Sequence, residues 1–96
     1  MAKTKTKRWD AADSLKSDRD VIAYLEAALE DGDPGVVAAA LGDIARARGM
    51  SRVARKAGLG RESLYKALSA EGNPGLGTVL RVVRALGIQL RAVPAR

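Results

Sequence analysis

Apolar side chains recur along this chain at two different periods. Val21, Ile22, Leu25, Ala28 and Leu29 return every three or four residues, which predicts a helix opened by Ser17 or Asp18 as cap and closed at "DGDPG". A second stripe, Val37, Leu41, Ile44 and Ala45, starts behind Asp33 as cap and Pro34 at the first helical position, and stops at Gly49. A short third helix, Ser51 to Ala57, turns Val53, Ala54 and Ala57 inward. A fourth, Arg61 to Ser69, carries Leu64 and Leu68 on one face. "EGNPG" is a loop, and "LGTVLRVVRALG" makes a fifth helix with Leu76, Val79, Leu80, Val83 and Leu86 toward the core. Past Gly87 the period changes: "IQLRAV" alternates apolar and polar residues, the pattern of a short strand. A lone strand needs a partner, and the same segment of a second subunit would supply one.

Composition narrows this to a helical domain. Ninety-six residues suffice for one core and not two. The chain is 47% hydrophobic but has one Trp, two Tyr and no Phe, so its core is made of Ala, Leu, Val and Ile. Cys and His are absent, which removes disulfides, thiolate chemistry and the commonest metal ligand and general base. No pair of carboxylates stands at a catalytic spacing, and neither a cofactor, a metal nor a small-molecule ligand is evident. The opening "MAKTKTKRWD" is basic but no apolar run follows it, so neither a signal peptide nor a membrane span is expected and the cytoplasm is the expected location.

Charge is unevenly spread. Residues 1–8 hold four cations and no acid and read as a disordered basic tail. Residues 9–33 hold eight acids against Lys16 and Arg19, whereas residues 34–96 hold eleven cations against three acids. The expected organisation is therefore a single domain over 9–96: an acidic N-terminal helical segment 9–33, a basic core 34–87 and an extended segment 88–96. Trp9 and Leu15, flanking "DAAD", are expected to dock on it. This spread suggests two different partners, nucleic acid for the basic part and something else for the acidic part, with merely solvated faces as the plainer alternative.

The break inside "ARKAGLGRESLYKAL" supplies the chemistry. Ala54 lets two helices approach closely, Gly58 can take the left-handed conformation that ends the first of them, and Leu59 and Leu64 fill the angle between the two. This is the spacing of a helix-turn-helix. The second helix then presents Arg61, whose guanidinium fork matches the O6 and N7 acceptors of guanine. Glu62 can accept from the cytosine amino group, and Ser63, Tyr65 and Lys66 can reach base edge or backbone. Arg46, Arg48, Arg52, Arg55 and Lys56 lie on neighbouring elements, placed to clamp phosphates of double-stranded DNA. Each has a plainer reading: Glu62 also suits the positive end of a helix, and Tyr65 could be half-buried core.

With these residues in view, the chain resembles the addiction-module antidote proteins, small antitoxins related to HigA that accompany RelE/ParE-like toxins. The likeness is carried by "WDAADSL", "VIAYLEAALEDGDP", "AALGDIARARGMSRVARKAGLGRESLYKALSAEGNP" and "TVLRVVRALGIQL", in that order. Where the family commonly has Ser in the turn this chain has Gly60, a cap weaker by about a few tenths of a kcal/mol. The resemblance implies an all-α, five-helix, repressor-like helix-turn-helix domain with room for one short C-terminal strand. It also implies a homodimer on operator DNA in its own promoter, and neutralisation of an mRNA-cleaving toxin. Its recognition helix falls on Arg61, Glu62, Ser63, Tyr65 and Lys66. Because such toxins are basic, Asp10, Asp13, Asp18, Asp20, Glu30 and Asp31 are the candidate toxin contacts. Two alternatives stand beside this reading: a stand-alone prophage-type transcriptional repressor, and a protein-interaction module whose helix-turn-helix is architectural only.

Overall fold

Ser17 and Asp20 close a capping box at the head of the first helix. The Ser17 hydroxyl accepts from the Asp20 amide at 3.1 Å, and the Asp20 carboxylate accepts from the amides of Ser17 and Lys16. In the computed structural model, which describes residues 10–95, a 3-10 turn (Ala11–Ser14) precedes five helices: α1 (Asp18–Asp31), α2 (Pro34–Arg48), α3 (Met50–Ala57), α4 (Arg61–Ala67) and α5 (Leu76–Ala85). The expected tail and Trp9 lie outside the described residues. Leu15 is buried, as its position beside the turn suggests.

The helices pack in a chain of neighbours. α1 lies on α2, α2 meets the 3-10 turn and α3, and α3 holds both α4 and α5. Leu41, Ile44, Leu64, Val21, Val53 and Val82 are fully buried at the centre, and small residues such as Ala45 and Ala54 let the helices approach. No polar or charged residue is buried among the described residues. Gly42 marks a close approach of α2 to the end of α4: a methyl group there would overlap the backbone carbonyl of Leu68.

Helix ends depart from sequence expectation in instructive ways. Asp33 stands at the N-cap of α2 but makes no side-chain cap; its amide donates to the Asp31 carboxylate at 3.2 Å. α3 begins one residue earlier than its pattern suggests, because Gly49, at φ 102°, ends α2 and starts α3 without a longer loop. α4 ends at Ala67 and not at Ser69, whose hydroxyl bonds back to the Lys66 carbonyl.

Two expectations do not hold in the single chain. The described residues contain no strand: past Ile88, whose amide bonds the Val83 carbonyl, the chain to residue 95 has no backbone hydrogen bond. A strand needs a ladder, and the described residues offer it no neighbour. The apolar stripes are also narrower than their sequence pattern. Ile22 and Leu29 on α1, and Leu76 and Leu80 on α5, are exposed at 41%, 45%, 73% and 49%. α1 packs chiefly against α2, so Val21, Leu25 and Ala28 fill that contact; α5 packs on α3 through Val82 and Val83, with Leu86 just beyond its end.

Candidate nucleic-acid interface

The break between α3 and α4 is a three-residue turn built on one left-handed glycine. Gly58 sits at φ 72°, its amide bonds the Arg55 carbonyl at 3.2 Å, and the Leu59 amide bonds the Ala54 carbonyl at 2.9 Å. Those two bonds form a Schellman closure, which reverses the chain only if the reversing residue tolerates positive φ. Leu59 packs half-buried against the core, and Leu64 and Leu68 anchor α4 from below.

Anchoring α4 by two leucines four residues apart fixes what it shows to solvent. Arg61, Glu62, Tyr65 and Lys66 line one shallow depression, and Ser63 is exposed on the same short helix. Tyr65 is 62% exposed, which rules out the core reading of that ring. Among the described residues, none of these five side chains makes an ion pair or side-chain hydrogen bond. The helix thus presents a guanidinium fork, a carboxylate, a hydroxyl, a phenol and an ammonium together, all free to bond outward.

The flanking cations divide into two groups. Arg52, Arg55 and Lys56 on α3 are exposed and unpaired among the described residues. Arg46 is tied inward: it binds Asp10 through both guanidinium nitrogens at 3.1 Å and also meets Asp43. These bonds to Asp10 and then Asp43 hold its proton more firmly than usual. Arg48 bonds Asp18 at 2.7 Å.

Tyr24 and Asp43 complete a network that the sequence reading missed. The Tyr24 hydroxyl donates to Asp43, so Tyr24, Asp43, Arg46 and Asp10 link α1, α2 and the N-terminal turn. Partial burial, followed by the bond to an anionic carboxylate, pushes the Tyr24 phenol up to about 12. Asp43 and Arg46 three apart on a helix were visible as a pair, but nothing local announced that Tyr24 and Asp10 would join them.

The acidic candidates are not brought together. Asp10, Asp13, Asp18 and Asp20 lie at the head of α1, Glu30 and Asp31 at its tail, about 20 Å away along the helix. Asp10 and Asp18 hold arginines, and Asp20 is spent on the capping box, whose amide bonds lower its carboxyl below the ordinary value. Asp13 and Glu30 are exposed without such bonds.

Together these features define a small all-helical domain with a helix-turn-helix-like pair and a polar, partly cationic outer face. A family model described as probable addiction module antidote protein matches residues 5–94, and the chain belongs to that family. A curated relative from Haemophilus influenzae (strain ATCC 51907 / DSM 11121 / KW20 / Rd), itself described as an uncharacterized protein, is 46% identical over 90 residues, which span 94% of this chain and 93% of the relative. No solved structure matches the chain significantly. An antidote implies a toxin as partner and a regulatory, non-catalytic part in the module. No described helix is long and apolar enough to cross a membrane.

Proposed function

We propose that this protein is a DNA-binding antitoxin of a type II toxin-antitoxin module, related to HigA, which neutralises a RelE/ParE-like mRNA-cleaving toxin and represses its own promoter. The antitoxin part is supported by family membership. The DNA-binding part rests on one observation: Leu64 and Leu68 hold α4 so that Arg61, Glu62, Tyr65 and Lys66 point outward from one surface with no side-chain partner among the described residues. A short polar helix of this kind fits the major groove, where Arg61 is suited to guanine and the others to neighbouring edges. Arg52, Arg55 and Lys56 are the free phosphate contacts. Arg46 and Arg48 join them only by loosening or sharing their carboxylates. The protein acts as a dimer, so that two copies of α4 meet half-sites about one helical turn apart on a palindrome.

Binding of promoter DNA by the parent and by Arg61→Ala tests this reading. Loss of Arg61 should weaken promoter binding by about 1–3 kcal/mol and relax specificity at one position. Equal affinity and equal selectivity in the variant would remove Arg61 from base readout.

A further inference from the structure

Five cations gather at a cleft that no α4 residue lines. A cleft of about 590 Å³ opens between α3 and α5, and Arg48, Arg52, Lys56, Arg81 and Arg84 all line it. Asp18, on Arg48, is the one acid that pairs with any of the five among the described residues. Arg52 and Lys56 are four residues apart on α3, and Arg81 and Arg84 three apart on α5, so each helix contributes a neighbouring pair to one groove. Like charges so arranged repel one another unless an anion sits between them.

The rest of the lining narrows the kind of anion. Between the cations the walls are aliphatic or glycine, including Val53, Ala57 and Leu86; no hydroxyl, amide or aromatic side chain is present. Such a surface can recognise negative charge but cannot distinguish one small molecule from another. Its openness and its charges on two helices suit an extended polyanion. α3 also packs against α4, so the cleft adjoins the helix-turn-helix-like pair.

We propose that the α3–α5 cleft seats the sugar-phosphate backbone of the same duplex whose bases α4 reads, with Arg81 and Arg84 as phosphate contacts beyond those named above. This inference rests on the DNA-binding reading and extends the footprint of each subunit past its base contacts. Its energetic signature differs from that of Arg61: phosphate contacts add affinity and salt dependence without sequence preference.

The test uses the full chain and two duplexes of equal length, one from the promoter upstream of its gene and one of mixed sequence. Affinity is measured against salt for the parent, for Arg81→Ala with Arg84→Ala, and for Arg81→Lys with Arg84→Lys. Both arginines are exposed, and thermal melting checks that the variants stay folded. The alanine pair should bind both duplexes more weakly by a similar factor, keep the ratio between them, and lower the slope of log affinity on log salt by about 2, whereas lysines should restore most of that slope. A parent that binds DNA and an alanine pair with the same slope and affinity would overturn the cleft assignment while leaving the α4 reading intact. The same holds if the alanine pair keeps its DNA affinity and loses instead the protein partner that co-purifies with the parent. A parent that binds neither duplex would overturn both.

Discussion

Single residues decide how closely these helices can approach. Gly42 is in mid-helix, where glycine is normally worth replacing by alanine because it costs about 0.5–1 kcal/mol in chain entropy. Here a methyl group would meet the backbone carbonyl of Leu68, which cannot swing aside as a side-chain tip could. Gly42→Ala should therefore destabilise the fold by about 1–3 kcal/mol, read as a melting temperature lowered by several degrees; an unchanged or raised melting temperature would place the α2–α4 contact wrongly. Tyr24 offers a second check at this scale. With Tyr65 replaced by Phe, ultraviolet titration should show the remaining phenol ionising at about 12. The sign follows from the shift: a phenol raised in the folded state contributes stability that is complete below the ordinary value near 10 and is lost as pH rises through about 12. Ionisation at the ordinary value would mean that Tyr24 and Asp43 are not bonded in solution.

At the scale of elements, periodicity revealed five helices and the reversing turn, because each stripe has a buried centre and each break a glycine or proline. It did not reveal how wide each buried face would be. Ile22 and Leu29 lie off the line from Val21 to Ala28, and with one principal neighbour α1 leaves them in solvent. Leu76 and Leu80 share that fate on the outer side of α5. The exposed face of α4 could be anticipated because Arg61, Glu62, Ser63, Tyr65 and Lys66 follow the turn directly and only the buried Leu64 interrupts them. The Tyr24–Asp43–Arg46–Asp10 network was not, since its members are up to 36 residues apart and meet only after α1 and α2 pack. The alternating C-terminal segment was read for its pattern alone, while a strand requires a second chain segment. If the proposed dimer supplies it, Leu90, 42% exposed in the single chain, becomes part of the interface. Ending the chain at Gln89 should then turn a dimer into a monomer in sedimentation while the helical signal persists. A shortened chain that remains dimeric would move the interface elsewhere.

The whole molecule is electrostatically divided. Residues 9–33 carry eight of the eleven acids, part of them folded back onto Arg46 and Arg48, while residues 34–96 carry eleven of the seventeen cations. That division suits a protein with a nucleic acid on one side and a basic protein on the other. Family membership implies the toxin of an addiction module as a partner. Silencing of that toxin is best measured by co-expression with the open reading frame beside the gene, scored by growth and by co-purification. The neighbour alone should arrest growth, and this protein should restore it in a stable complex. A harmless neighbour that does not co-purify would overturn the antitoxin assignment to that pair.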